Sequence, residues 1–181
     1  MSAKKPSGRR SVQVEGKIPG SAQSAAERRS AEAELRTLID QFAPAHLRLI
    51  SAMRKSLRKR LPAAQEVVYG YRAWFVISYS PSGHGYEGVL AIRGDANGVK
   101  LYFNQGKELP DPERLLRGSG GLVRSIEVEA VSALARPAVA RLIDEAIARS
   151  HVPFASSGRG SVIIRSASTK QRQRRNAPIR S

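Results

Sequence analysis

The chain has 181 residues, with 31 Lys plus Arg against 15 Asp plus Glu, a formal charge of +16, and no Cys. That length suits one domain with tails, and a hydrophobic content of 41% suffices for one core. Zero Cys excludes a disulfide scaffold, thiolate metal sites and a Cys nucleophile. No apolar run approaches the roughly 18–20 residues of a membrane span, so the sequence reads as a soluble protein without a membrane partner.

Residues 1–24 carry five basic residues and one acid, and are poor in large apolar side chains. They cannot bury enough surface to offset ordering entropy, which predicts a disordered basic tail. Arg9-Arg10 is followed by no apolar stretch, so it does not read as an export signal, and a cytoplasmic location is expected.

The folded part is expected over 25–166, with 21 basic and 14 acidic residues. A first helix is predicted from Ala25 to Phe42, because Ala31, Leu35, Leu38 and Phe42 share one helical face. Ala43-Pro44 breaks it, and Pro44 suits the first turn of a second helix reaching Arg60. Leu47, Ile50, Met53, Leu57 and Leu61 form the apolar stripe of that helix. Arg48, Lys55, Arg58 and Lys59 lie opposite, with Arg54 and Arg60 on the flanks.

Strands follow. Glu66–Tyr69 is β-prone, and Ala73–Tyr79 is apolar on both alternating sets, which predicts a central strand. Val89–Ile92 and Val99–Phe103 flank Asp95-Ala96-Asn97-Gly98, where Asn97-Gly98 supplies positive-φ positions for a hairpin. Asp111–Leu116 reads as a short helix capped by Asp111 with Pro112 in its first turn. Gly118–Gly121 is a loop, Ser125–Glu129 a half-exposed strand, Pro137–Arg149 a last helix and Val162–Ile164 a late strand. Residues 167–181, with five basic residues and no acid, predict a second disordered tail. Consecutive strands joined by tight turns give an α+β class: one compact domain with an antiparallel sheet of five or six strands packed by helices.

Sites of reaction are hard to find. Gly83-His84-Gly85-Tyr86-Glu87-Gly88 matches G-x-G-x-x-G, but a strand follows it where a dinucleotide site needs a helix, so it reads as a hairpin connection. His46, His84 and His151 lie in different elements and lack metal-ligand spacing. Serine-hydrolase, P-loop and zinc-protease motifs are missing, so no catalytic residue, metal or cofactor is expected. Trp74, Phe75, Tyr79, Tyr102 and Phe103 read as core or cross-strand pairs, whereas Tyr69, Tyr71 and Tyr86, near chain bends, are placed to line a pocket.

Two features point to anions. Gly118-Ser119-Gly120-Gly121, flanked by Arg117 and Arg124, reads either as a plain glycine turn or as a nest of N–H groups for an anion. In the second helix, Arg54–Arg58 and Lys55–Lys59 repel at i, i+4 spacing. A polyanion would remove that repulsion and release counterions; a solvated basic face is the alternative.

The run Glu66–Gly70, the stretch Leu109–Gly120, Arg124-Ser125-Ile126, Ala135-Arg136-Pro137 and the segment Phe154–Ile164 together resemble the YdhG-like domain family. The resemblance spans residues 33–175 and implies a compact α+β domain with an antiparallel sheet. The function of that family is unknown, and some relatives have been linked to frataxin-like iron handling. Tyr69, Gly70, Gly118, Gly120 and Arg124 match its pattern, whereas Gly121 stands where the family's glycine loop continues with Lys.

The expected function is a non-catalytic cytoplasmic binding domain for a small or anionic ligand, at Tyr69, Arg117, Gly118, Ser119, Gly120 and Arg124. Nucleic-acid binding through Arg48, Arg54, Lys55, Arg58, Lys59, Arg60 and the tail residues Arg172, Arg174 and Arg175 is the first alternative. Iron handling, implied only by the resemblance, is the second. The sequence does not address oligomeric state.

Overall fold

The computed structural model describes residues 23–166. The rest of both expected tails, including Arg172, Arg174 and Arg175, lies outside the described residues. Helix α1 spans Ala25–Phe42. Its start is fixed by a reciprocal cap: Glu27 N–H donates to Ser24 Oγ at 3.2 Å, and Ser24 N–H to the Glu27 carboxylate at 2.8 Å. Ser24 and Gln23, expected in the tail, therefore belong to the fold. A 3-10 turn over Pro44–His46 leads into α2, Leu47–Arg60.

Six strands form one sheet: β1 Gln65–Gly70, β2 Trp74–Ser80, β3 Leu90–Asp95, β4 Gly98–Phe103, β5 Arg124–Glu127 and β6 Val162–Ser166. Their spatial order is β5-β4-β3-β2-β1-β6. Neighbours are antiparallel except β6, which runs parallel to β1. β2 is central, as its two apolar sets require. β6 is parallel because the chain crosses back after α3, Pro137–Ala148, instead of turning a hairpin.

The helices gather on one face. Val68, Phe75, Ile77, Tyr79, Ile92, Leu101 and Ile126 share that face by register, and the buried core joins them to Leu35, Ile50, Leu57 and Ile143. This is the α+β architecture expected from the strand order.

Two local expectations are corrected. Asp111–Leu116 forms no helix: Arg114 adopts φ 52°, in the left-handed region, which stops propagation. Asp111 still acts as a cap, its carboxylate accepting the Leu115 and Leu116 N–H groups at 2.9 and 2.8 Å. In the β3–β4 hairpin only Gly98, at φ 154°, has positive φ; Asn97 instead donates its N–H to Asp95 Oδ1 at 2.8 Å.

The glycine run packs against the sheet. A side chain on Gly85 would collide with the Tyr69 ring, and one on Gly88 with Ser78 Oγ. Those glycines let the β2–β3 connection lie against the strands, which accounts for them without a nucleotide.

Candidate functional site

Glu66 sits on the helix-facing side of β1, 1% exposed. A buried carboxylate requires a cation and hydrogen bonds. Arg54 Nε and Nη2 donate to its two oxygens at 3.0 and 2.7 Å, and Tyr79 Oη donates to Oε1 at 3.0 Å. Arg54 also forks onto Glu32 of α1 at 2.9 and 3.1 Å. Arg58, one turn on, reaches Glu32 at 2.7 Å and also pairs with Glu66. Two arginines and two carboxylates thus clamp α1, α2 and β1 together.

This revises the reading of α2 as a basic surface. Arg54 is buried, and both it and Arg58 are engaged by carboxylates, so their repulsion is relieved inside the protein without a polyanion. Arg60 pairs with Asp144 of α3. Arg48, Lys55 and Lys59 stay exposed, and among the described residues no ion pair holds them.

The clamp carries a pH signature. Burial pushes the Glu32 carboxyl up, but hydrogen bonds and charge from Arg54 and Arg58 outweigh it and hold it down at about 2. The unfolded value is about 4.3. A lower folded value means that the native state binds fewer protons, so the Glu32 contribution is complete above about pH 5 and fades as pH falls through the folded value. The urea midpoint is expected to drop between those limits, and more gently in Glu32→Gln. An equal drop in both would assign the acid sensitivity to other groups. Tyr79 is pushed well above its ordinary value by burial and by the Glu66 charge, so its hydroxyl stays a donor.

In the expected ligand loop the Arg124 side chain is taken up by the loop's own carbonyls. Arg124 Nη1 donates to the carbonyls of Gly120, Gly121 and Val123 at 3.1, 3.1 and 2.8 Å. Its guanidinium closes the loop on itself. Arg117 pairs its backbone with Ser125 and donates its side chain to the Arg114 carbonyl at 2.9 Å. Gly118 takes φ 126°, and Ser119 and Gly120 are exposed. Tyr69 is not their neighbour. It lies on β1, four strand positions from β5, and its side chain occupies the face opposite Arg124 by register.

A different concavity lies where the β2–β3 connection, the end of β4 and the end of α3 meet. It encloses about 270 Å³. Val89, Leu109, Ala146 and Val152 give it an apolar lining, and Arg149 and His151 stand among its polar groups. Arg149 is positioned by Glu145 at 3.2 Å and the Glu108 carbonyl at 3.4 Å. Tyr86, 82% exposed, stacks on His84 with ring centres 5.3 Å apart. Of these residues, sequence reasoning marked only Tyr86 as pocket-lining. The others converge from three segments 20 or more positions apart in no shared pattern, and no local signal links them.

Among the described residues, no group of three or more His, Asp or Glu is placed to hold a metal ion, and no helix is long and apolar enough to cross a membrane. No family model matches the chain, and comparison with curated proteins and with solved structures gave no match.

Proposed function

We propose that this chain is a non-catalytic domain that binds a small anionic ligand with an apolar body, in the crevice between the β2–β3 connection and the end of α3. The observation that carries this reading is the crevice itself: an apolar lining with His151 and Arg149 beside it, Glu87 also on its wall, and an Arg149 guanidinium that the Glu145 carboxylate meets only through Nε. Apolar pockets with a few convergent polar groups are the usual form of ligand sites. At about 270 Å³ the crevice is smaller than most drug-sized pockets, which favours a compact ligand. Membership of the YdhG-like family and a cytoplasmic location are parts of the same proposal, resting on the sequence motifs. Nucleic-acid binding through α2 is less favoured, because Arg54 and Arg58 are spent on carboxylates.

The test is a backbone amide NMR titration of the full chain with benzoate. Shifts are expected at Gly88, Leu109, Ser150 and His151. Ala146→Leu, which fills the lining, should remove them. Arg149→Leu should weaken benzoate while leaving neutral benzyl alcohol nearly unchanged. Shifts that are scattered, or that persist in Ala146→Leu, would place binding elsewhere.

A further inference from the structure

The crevice between the β2–β3 connection and the end of α3 carries charges of both signs. From the connection comes Glu87, the last residue of the 3-10 turn Gly85–Glu87. Ser82 donates its hydroxyl to the Glu87 carboxylate, and the His84 N–H donates to Ser82 Oγ at 3.2 Å, so a short chain of hydrogen bonds holds the acid in place. From the end of α3 come Arg149 and His151. The rest of the lining is largely aliphatic, with Val89, Leu109, Ala146 and Val152.

Neither charge is fully used within the protein. Glu87 accepts from Ser82 but meets no cation among the described residues. Arg149 gives Nε to Glu145 at 3.2 Å and Nη1 to the Glu108 carbonyl at 3.4 Å, and its Nη2 has no partner among the described residues. Nor do Glu87 and Arg149 pair with each other, although both line the crevice. A purely anionic ligand would satisfy Arg149 but would bring its charge towards Glu87, and like charges brought together weaken a complex. An ammonium on the same ligand turns that repulsion into a charge-assisted hydrogen bond. The two wall charges together therefore match a ligand that carries both signs on an aliphatic body.

We propose that the crevice takes a small zwitterion, an α-amino acid with an aliphatic side chain. Its carboxylate meets Arg149 and His151, its ammonium donates to Glu87, and its side chain lies against Val89, Leu109, Ala146 and Val152. The proposal rests on the reading of the crevice as a ligand site and narrows the ligand: the anionic group is a carboxylate, and a cation accompanies it. The enclosed volume of about 270 Å³ lies below the range of drug-sized pockets, which suits one free amino acid better than a peptide. Glu87 is then the residue that sets specificity, because it separates an amino acid from the carboxylic acid of the same skeleton.

Amide NMR titrations of the full chain at neutral pH with L-leucine, isocaproate and isoamylamine separate the two charges. Isocaproate is leucine without the ammonium, and isoamylamine is leucine without the carboxylate. L-leucine is expected to bind about tenfold tighter than either, the usual worth of one charged hydrogen bond. Glu87→Gln should weaken leucine by about tenfold and leave isocaproate no weaker. Arg149→Leu should weaken leucine and isocaproate alike and spare isoamylamine. Isocaproate binding as tightly as leucine, or a Glu87→Gln variant that binds leucine like the parent, overturns the proposal while the crevice stands as an anion site. So does an equal loss of isocaproate in Glu87→Gln, which would mean that Glu87 acts only on the shape of its turn. Absence of shifts with leucine, isocaproate and benzoate alike overturns the ligand crevice itself, and this proposal with it.

Discussion

Glu66→Ala is expected to cost about 3–5 kcal/mol of folding stability, the range for removing one partner of a buried ion pair. Glu66 accepts from Arg54, Arg58 and Tyr79 at once, at 1% exposure. Its loss leaves the Tyr79 hydroxyl without its acceptor and the buried Arg54 with Glu32 alone. Two charges brought out of water are not themselves a large source of stability, because desolvation offsets most of their attraction. The damage comes from breaking the set unevenly. The double variant Arg54→Met with Glu66→Leu, which removes the buried charge on both sides, should therefore be more stable than Glu66→Ala alone. Urea unfolding at neutral pH measures both. A Glu66→Ala midpoint close to that of the parent would mean that water reaches Arg54 and replaces the carboxylate.

Gly160→Ala is expected to cost about 3 kcal/mol, at the upper end of overpacking effects. A β-carbon there would stand 1.7 Å from the Ala64 carbonyl oxygen and 2.5 Å from its carbonyl carbon. Both atoms are backbone, immediately before β1, so the neighbour cannot swing away as a side chain would. Gly160 also donates its N–H to the Pro62 carbonyl at 2.9 Å and accepts from Arg28 of α1. Next to it, the Gln23 side chain accepts the Val162 N–H at 3.2 Å and donates to the Val162 carbonyl at 2.9 Å, imitating one more strand at the sheet edge. The variant should loosen β6 first, seen as faster amide exchange in β6 and at its β1 partners. Gly120→Ala is the control: nothing lies within 4 Å of its added carbon, and its stability should stay within about 0.5 kcal/mol of the parent. Equal effects at the two positions would show that steric approach at Gly160 is not what holds β6.

Much of the fold was legible along the chain. The C-terminal limit of α1 follows from the apolar spacing to Phe42 and from Pro44, both local signals, whereas Ser24, assigned to the tail by composition, proves to cap its start. The central place of β2 follows from its two apolar faces. Asp111-Pro112 misled because a good cap and a good first residue do not ensure a helix: the next turn breaks at Arg114, and the Asp111 carboxylate takes up only the Leu115 and Leu116 N–H groups. The parallel pairing of β6 was not legible, since nothing in Val162–Ser166 states which strand it joins or in which direction.

Charge shows the division most clearly. Composition alone determined that the chain is basic, that it lacks thiol chemistry, and that α2 carries several arginines and lysines. Which of those cations are available was decided only by tertiary structure. Arg54 and Arg58 look like Lys55 and Lys59 in sequence, yet the first two meet Glu32, 22 and 26 positions earlier, and Glu66, 12 and 8 positions later. The proposed ligand crevice is likewise made by tertiary packing of distant segments. The physical reason is one of range: helix periodicity and caps act within a few residues, whereas desolvation of a charge depends on whatever the fold packs against it.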